Sequence, residues 1–236
     1  MRRRTAPLPR VDLFNAVSLD GRFDQFEPDI ELYYRLAARF REGATLVGSN
    51  TLLEAPDKVD IPPEDDSVFE PPESRRGDRR PLLVVPDSRG RLKTWHFWRQ
   101  QPYWRGWVAL CSHSTPQRHI DYLRKRHVDR IVAGTTRVDL GTALRRLRAR
   151  YGVKRVRVDS GGTLGGALLR AGLVSEVCLL VHPCLVGGTS PRTVFSAPDL
   201  NSPRGVIAVE LKETRRLRHG ILWLRYRVRR RSGGLT

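Results

Sequence analysis

Residues 153–181 read VKRVRVDSGGTLGGALLRAGLVSEVCLLV, and this segment constrains the fold more than any other stretch of the chain. Val153–Val158 predicts a strand, which is followed by two glycines and by a helix that runs to Ala171. Val174–Val181 is a long apolar run that predicts the next strand. A strand, a helix and a second strand in this order are typical of an α/β sheet.

The same alternation of strands and helices extends in both directions from this segment. Further strands are predicted at Val11–Val17, Ala44–Val47, Pro81–Val85, Trp107–Cys111 and Val128–Ala133. Val206–Glu213 and Ile221–Val228 are predicted to form an antiparallel pair that turns near Gly220. We therefore predict an α/β fold, with a mixed, mostly parallel sheet flanked by helices on both faces.

Residues at the helix ends support this assignment. A helix is predicted over residues 29–41, with Gly43 as the residue that terminates it, because glycine readily adopts the left-handed conformation found after helix ends. Thr115, which precedes a proline, is predicted to be the N-cap of a later helix. Asp139 is predicted to cap the next helix, which should end at Gly152.

Length and composition indicate one globular unit. The chain has 236 residues, and its 39% hydrophobic content is enough for a substantial core. No linker divides it, so we expect a single domain over residues 1–236 with a core from about residue 10 to 228. Residues 55–80 are rich in proline and charge and are expected to form a long solvated loop. Whether this loop closes over a substrate is left open.

The net charge of +18 comes mainly from 38 arginines. A basic surface attracts anions, which here would be a nucleic acid, a phosphorylated cofactor or a phosphorylated substrate, and composition does not choose among them. No apolar run approaches the ~20 residues of a membrane span. The chain starts at Met1 with arginines but without an apolar segment, so we expect no secretory signal. The few, widely spaced cysteines lead us to expect a reduced, cytoplasmic compartment.

The cysteines and histidines suggest no metal site. Three widely spaced cysteines provide neither a disulfide framework nor a CxxC pair. Cys178 and Cys184 lie in or next to an apolar stretch and are expected to be core residues. His182, at the end of a strand, is expected to be a packed or capping residue rather than a ligand.

Candidate functional residues follow four predicted strands. They are at Ser18–Gly21, Gly48–Thr51, Asp87–Arg89 and Ser160–Thr163. Ligands of open α/β sheets bind outside the carboxyl ends of the strands. At the second and fourth of these turns, glycine precedes a helix whose first N–H groups attract an anion. A turn of this kind is also common for purely structural reasons, but two of them in one sheet favour dinucleotide binding.

Asp20 is the candidate for acid–base chemistry. A carboxylate at a strand end beside a glycine can orient a hydroxyl group or shuttle a proton. The alternative is an aspartate that only forms hydrogen bonds within its turn.

Taken together, these residues resemble the reductase domain of riboflavin biosynthesis, which shares the dihydrofolate reductase fold. The resemblance covers about residues 10–228. Five stretches carry it in the same order: Ser18–Arg22, Ala44–Thr51, Leu83–Ser88, Val158–Leu164, and Ala171–Val177 continuing to His182–Gly188.

The resemblance implies an NADPH-dependent oxidoreductase that reduces C1 of a phosphorylated ribosylamino-pyrimidine, of the standalone diaminohydroxyphosphoribosylamino-pyrimidine type, and a homodimer. Ser18 and Asp20 match positions on the substrate side. Ser88 matches a position near the adenosine 2′-phosphate, where Arg89 is a plausible second ligand. Other positions that match the cofactor site are Gly48 and Thr51 at the phosphates, and Ser160, Gly161, Gly162, Thr163 and Leu164 along the pyrophosphate and nicotinamide.

The sequence departs from the family pattern at several positions. Asp159 and Ser160 stand where the family usually has glutamate and glycine, and Ala55 replaces a frequent aspartate. The chain has no zinc signature of a deaminase domain. It therefore resembles the standalone reductase, or a paralogue that acts on another substrate.

Two alternatives remain open from the sequence alone. The first is a reductase of another pterin-like or carbonyl substrate on the same fold. The second is a nucleic-acid-binding protein, in which the aromatic segment Trp95–Trp107 would stack bases beside Arg99 and Arg105. The sequence contains no RRM, KH or helix-turn-helix signature, so nucleic acid is the less favoured partner. The same aromatic segment could equally form a hydrophobic flap or a dimer contact.

Overall fold

The computed structural model describes residues 6–54, 60–72, 77–189 and 192–229. Within these residues the chain forms a mixed, mostly parallel sheet of nine strands accompanied by helices, which confirms the predicted fold class. The residues group into two compact units, residues 6–9 with 42–156 and residues 10–41 with 157–229. The single domain stays a prediction, and Ala55 lies outside the described residues.

The first unit contains a parallel part of the sheet. Its strands are β2 (Ala44–Leu46), β3 (Leu82–Pro86), β4 (Gly106–Cys111) and β5 (Asp129–Val132). They lie in the order β5-β4-β3-β2, and each neighbouring pair is parallel. The carboxyl ends of all four strands therefore lie at one edge of this part of the sheet. Its helices are α2 (Ser49–Leu53), α3 (Trp95–Gln100), α4 (Gln117–Lys125) and α5 (Leu140–Tyr151).

The core of the first unit consists of continuous apolar strands and the helices packed on them. Leu83 and Val85 of β3 are fully buried, as is Trp95 at the start of α3. Strands buried on both faces are typical of parallel sheets. Helix α5 begins and ends as predicted: the Asp139 carboxylate accepts a hydrogen bond from the Thr142 N–H, and Gly152 closes the helix with φ +67°.

Two predicted capping residues are wrong. Thr115 does not cap α4, because Pro116 occupies the N-cap position. The Thr115 hydroxyl instead accepts from Ser112 N at 3.0 Å and donates to Ser88 O at 2.9 Å, so it joins two loops at the carboxyl edge. The helical turns after residue 30 end at Arg41 rather than Gly43, since Arg41 itself adopts the left-handed conformation with φ +47°.

The second unit contains a mixed part of the sheet. Its strands are β1 (Arg10–Ser18), β7 (Glu176–His182), β8 (Val209–Arg216) and β9 (Leu222–Val228), in the order β1-β7-β9-β8. β1 and β7 are parallel, whereas β7 with β9 and β8 with β9 are antiparallel. The last pair confirms the predicted hairpin, which turns at Gly220. Strand β6 (Arg155–Val158) includes the last residues of the first unit and the first of the second.

The helices of this unit are α1 (Ile30–Ala37) and α6 (Gly162–Arg170). An aromatic cluster joins α1 to the sheet: Phe14 of β1 stacks on Tyr33 with ring centroids 4.4 Å apart and meets the edge of Trp223 at 5.5 Å. His182 is buried and accepts a hydrogen bond from Asp29 N at 3.0 Å, which confirms its packing role at the start of α1.

The described part of the predicted loop, residues 60–72, is attached to the first unit. Val68 is buried, and a short 3₁₀ helix covers Asp66–Phe69. Arg99 donates to carbonyl oxygens of Val68 and Glu70, and Arg126 forms a two-pronged ion pair with Glu64. The described residues of this loop are nevertheless exposed except for Ile61 and Val68, as expected for a solvated loop, and these contacts attach it to the first unit.

Residues 68–70 lie at the amino-terminal edge of the parallel strands. Arg99 belongs to the end of α3 and Arg126 follows α4, and both helices run opposite to the strands. This edge is opposite to the one at which the loops after β2 and β3 emerge. The described part of the loop does not cover those candidate residues.

Cys178 is fully buried as expected, but Cys184 is only half-buried, so its assignment to the core is wrong. In the described ranges, no helix is long and apolar enough to span a bilayer. The same ranges contain no group of three or more His, Cys, Asp or Glu side chains arranged to hold a metal ion.

Candidate functional site

Asp20 stands at the turn after β1 and holds a second loop of the same unit. Its Oδ1 accepts a 2.5 Å hydrogen bond from the Ser18 hydroxyl and one from Val186 N at 3.1 Å. Its Oδ2 accepts from Gly187 N at 2.6 Å. These donors lower the pKa of the Asp20 carboxyl to about 2, with the Ser18 hydroxyl as the largest cause. Asp20 is therefore a fixed carboxylate at neutral pH.

Ser18 positions the Asp20 carboxylate through the hydrogen bond from its hydroxyl. Its side chain is fully buried, and its hydroxyl also accepts from Arg22 N at 2.9 Å. The neighbouring Leu19 N donates to Cys184 O at 2.8 Å, which is a further tie between this turn and the loop after β7. Ser18 thus orients the Asp20 carboxylate from the buried side of the turn.

The glycines at the start of α6 have two different environments. A Cβ on Gly161, the N-cap residue, would meet nothing within 4 Å. A Cβ on Gly162 would lie 2.1 Å from Thr193 O and 2.8 Å from Ser196 N. Gly166, one turn later, has a similar contact 2.0 Å from Ser196 O. Only Gly161 leaves room for a ligand, because Gly162 accommodates the chain's own backbone.

The rest of this turn is partly open. The Ser160 carbonyl accepts from Asn15 Nδ2 at 3.0 Å, which fixes the turn to β1. Thr163 is exposed and Leu164 is half-buried. Residues 160–164 therefore combine a fixed backbone with accessible side chains.

Segment 192–196 joins the two candidate turns of the second unit. Val194 N donates to Gly21 O at 2.9 Å, beside an antiparallel bridge between Arg22 and Thr193. Ser196 N donates to Gly162 O at 3.2 Å. The sequence analysis missed this segment, and the glycines at 162 and 166, spaced one helical turn apart, are the signal that a backbone packs against α6.

Three further residues of the second unit form a polar cluster that the sequence analysis also missed. The Tyr33 hydroxyl donates to Asp159 Oδ1 at 2.7 Å, and Arg157 Nη1 donates to Asp159 Oδ2 at 2.8 Å. Burial, followed by the charge of Asp159, raises the pKa of Tyr33 well above its usual value. The signal was a tyrosine on the apolar face of α1, since a buried phenol requires a hydrogen-bond partner.

In the first unit, Arg91 brings the two candidate turns together. Its Nη2 donates to Ser49 Oγ at 3.4 Å and to Asn50 Oδ1, both in α2. Gly48, the N-cap of α2, is buried, whereas Thr51 is exposed. Arg91 was not among the predicted site residues, although it lies only two positions after Arg89.

Ser88 and Arg89 lie in the loop after β3. The Ser88 hydroxyl accepts from Val138 N at 3.0 Å, and the Arg89 side chain is exposed. Gly90, with φ +65°, passes directly over His119, where a Cβ would lie 2.6 Å from Cγ of the ring. The loop therefore rests on a buried histidine.

His119 is fully buried beside an acid. Its Nε2 lies 3.6 Å from Asp87 Oδ2, and that oxygen also accepts from Leu92 N at 2.8 Å. Burial lowers the pKa of His119 to about 4, so the ring is neutral at pH 7. This pair supports the loop that carries Ser88 and Arg89.

The aromatic segment belongs mainly to the core. Trp95 is fully buried in α3, a helix that the sequence analysis did not predict, and Trp98, Trp104 and Trp107 pack partly buried against the same core cluster. Tyr103 is the exposed ring of this segment, at 64%. This arrangement does not supply the row of exposed rings that base stacking requires.

Comparison with models of known protein families assigns the chain to a family. Residues 9–223 match the model of the RibD C-terminal domain. The match covers well over half of the sequence, so the chain belongs to this family of reductase domains, as the sequence resemblance indicated.

Curated relatives cover most of the chain. It is 32% identical over 214 residues to a protein of Methanothermobacter thermautotrophicus named 2,5-diamino-6-ribosylamino-4(3H)-pyrimidinone 5′-phosphate reductase, covering 87% of this chain and 92% of the relative. A protein of the same name from Archaeoglobus fulgidus is 31% identical over 199 residues, covering 79% and 85%.

Solved structures show the same fold. RibD of Acinetobacter baumannii superposes with a TM-score of 0.64 at 21% identity, covering 94% of this chain and 58% of that one. A pyrimidine reductase-like protein of Corynebacterium diphtheriae gives a TM-score of 0.62 at 16% identity, covering 94% and 92%. The chain thus spans little more than half of the first structure and nearly all of the second.

Proposed function

We propose that this protein is an NADPH-dependent reductase of riboflavin biosynthesis that acts in the cytoplasm. Its substrate is a phosphorylated ribosylamino-pyrimidine, which gains a hydride at C1 of the ribosyl group and becomes the ribityl product. The observation that carries this proposal is the 32% identity to a reductase of that substrate class over 92% of the relative's length.

The cofactor residues are those that the resemblance implied. We propose Gly48, Thr51 and the turn Ser160–Leu164 for the phosphates and the nicotinamide side, and Ser88 with Arg89 for the 2′-phosphate. The open space above Gly161 fits close approach of a ligand, and the exposed Arg89 guanidinium fits a phosphate. NADPH, when bound, supplies the hydride.

Asp20 is proposed to orient the sugar hydroxyls of the substrate. A carboxyl with a pKa of about 2 carries no proton at neutral pH, so it accepts hydrogen bonds rather than donating a proton. The ionised carboxylate can also accept a proton, so proton relay is the second role proposed for Asp20. Ser18 is proposed to position that carboxylate.

Cofactor titration tests the proposal. The protein is titrated with NADPH and with NADH at about 0.15 M salt, where surface charge is largely screened, and tryptophan fluorescence is followed. We expect a clear preference for NADPH. Absence of binding by either nucleotide would overturn the proposed cofactor site.

Substrate choice requires a second assay. NADPH consumption is measured with the pyrimidine phosphate, with dihydrofolate and with simple aldehydes. We expect turnover with the pyrimidine phosphate. Turnover with dihydrofolate or aldehydes but not with the pyrimidine phosphate would overturn the proposed substrate and indicate a different reductase activity on the same fold.

We further propose that the protein is a homodimer formed through one face of the second unit. Val209 and Leu211 of β8 are 45% and 50% exposed, and Leu222 of β9 is 37% exposed. The pairing register places these side chains on the face opposite Trp223, which packs in the core. Sedimentation velocity of the wild type and Leu211→Glu tests this, with a dimer expected only for the wild type.

A further inference from the structure

A cavity of about 370 Å³ lies in the first unit, between residues 67–72 and the end of α3. It opens at the amino-terminal edge of the parallel strands, because its walls come from residues that precede β3 and β4. Gly48 and Ser88 follow their strands at the opposite edge. The cavity is therefore separate from the cofactor residues of this unit.

The charged residues in the described lining of this cavity are basic. They include Arg80, Arg99 and Arg105, and no Asp or Glu occurs among the described lining residues. Arg80 is neutralised by Asp78, whose carboxylate lies 2.6 Å from its Nη2. Asp78 also interacts electrostatically with Arg105, so the potential inside the cavity depends mainly on Arg99.

Arg99 is half-buried without a carboxylate partner among the described residues. Its guanidinium donates to the carbonyl oxygens of Arg126, at 2.8 Å, of Glu70, at 2.9 Å, and of Val68. These carbonyl oxygens bind three of the five N–H groups but do not neutralise the charge, and the buried Nε has no hydrogen-bond partner among the described residues. Burial accordingly lowers the pKa of Arg99, which remains a cation.

Aromatic surface completes the walls. Trp104 and Trp107 line the cavity, and the Arg99 guanidinium lies 5.5 Å from the centroid of the Trp107 ring. Ligand pockets in proteins have volumes of roughly 300–1,000 Å³, so this one suits a small molecule. Indole rings beside an unneutralised guanidinium suit a ligand that is both flat and negatively charged.

We propose that this cavity is a second ligand site, which binds a small aromatic anion such as an aryl phosphate or aryl carboxylate. This gives the tryptophan-rich segment a role besides core packing. The site is independent of the reductase activity and of the cofactor.

Phenyl phosphate is the first probe. The full-length protein is titrated with it in the presence of saturating NADPH, and binding is followed by tryptophan fluorescence and by calorimetry. We expect saturable binding that NADPH does not displace, and binding at least tenfold weaker for inorganic phosphate and for phenol. Absence of binding, or complete displacement by NADPH, would overturn the proposal.

Variants locate the site. Arg99→Gln should weaken phenyl phosphate binding at least tenfold, whereas Arg99→Lys should retain part of the affinity. Since Arg99 also holds residues 67–70, Arg105→Gln on an exposed side chain provides a second variant, with a loss of about threefold expected. Arg118→Gln, an exposed arginine of α4 outside the cavity, is the matched control and should bind as the wild type does. Equal affinity in all four variants would show that the ligand binds elsewhere.

Discussion

The candidate residues of the two units differ in what they contact. In the second unit, Asp20 and Gly162 contact the backbone of other loops of the chain. In the first unit, Thr51 and Arg89 are exposed. The carboxylate of Asp20 fixes the loop after β7, and Gly162 lies under the backbone of residues 193–196. Arg89 instead lies on a loop that is supported from beneath by the buried Asp87–His119 pair.

This difference predicts how each unit responds to substitution. Where a candidate residue also joins loops, its replacement should disturb stability or turnover. Where it is exposed on a supported loop, its replacement should change ligand affinity and leave the fold intact. The following experiments test that division, beginning with the largest expected effect.

Gly162→Ala should destabilise the protein strongly, because its Cβ would lie 2.1 Å from Thr193 O. We expect a loss of roughly 3 kcal/mol in the free energy of unfolding, the upper range for overpacking. Gly161→Ala is the matched control, since its Cβ meets nothing within 4 Å, and its stability should stay close to that of the wild type. Urea unfolding measures both, and equal losses would show that segment 193–196 does not pack closely on α6.

Asp20→Asn should lower kcat by about 100-fold, since the amide cannot reproduce the charge of the carboxylate. The dissociation constant of NADPH should change by less than about twofold. Steady-state kinetics and fluorescence titration separate the two quantities. A parallel loss of NADPH affinity and turnover would indicate that Asp20 supports the fold instead of the substrate.

The pH profile adds a second readout for Asp20. The lowered pKa means that its contribution to stability is present above the unfolded pKa and is lost as the pH falls toward 2. Between pH 5 and 8 the carboxylate should stay ionised, so it should produce no acidic limb in kcat. Ser18→Ala removes the main cause of the shift, so in urea unfolding at acidic pH the contribution of Asp20 to stability should be lost at a higher pH than in the wild type.

His119 should make stability depend on pH. Its pKa in the folded protein is about 4, below the unfolded value, so the unfolded chain takes up a proton first as the pH falls. Stability should therefore decrease by about 2 kcal/mol between pH 7 and pH 5 from this residue alone. Urea unfolding of His119→Gln at both pH values should lack this part of the decrease, and an identical pH dependence would contradict the assignment.

Arg89→Gln should leave the stability of the fold unchanged and reduce the affinity for the 2′-phosphate of NADPH. We expect the preference for NADPH over NADH to fall about tenfold, as for one lost charge-assisted contact. The melting temperature should not change, because the side chain is exposed. Arg118→Gln serves as a charge-matched control, and an equal loss of preference there would indicate a general electrostatic effect.

The strands and most helices could be predicted from the sequence because their signals are local. The apolar run of β7 and the Asp139 cap of α5 each depend on neighbouring residues only. Helix α3 was missed because its aromatic residues have weak helix propensity, and tertiary packing of Trp95 stabilises it. Thr115 was assigned as a cap because a threonine before a proline is a good local signal, but its hydroxyl bonds to a distant loop instead.

The candidate turns were found for the same reason, since each follows a strand directly. The partners of those turns could not be found, because they are far away in the sequence. Tyr33 and Asp159 are separated by 126 positions, and Asp20 and Gly187 by 167. Gly161 and Gly162 are adjacent glycines that look equivalent in the sequence. Only the structure shows that Gly162 packs against residues 193–196 while Gly161 does not.

The bonds from Arg99 to backbone carbonyls bear on how this chain can change over evolutionary time. Every residue has a carbonyl oxygen, so a guanidinium that grips Val68 and Glu70 through their main chains does not depend on which side chains stand there. The exposed side chains at positions 67 and 70 can consequently change while the segment remains attached, whereas Val68 is also constrained by its burial. Lysine at position 99 has a single ammonium group in place of the planar fork and would keep only part of these bonds, so the constraint falls more on the arginine than on the exposed residues of the loop.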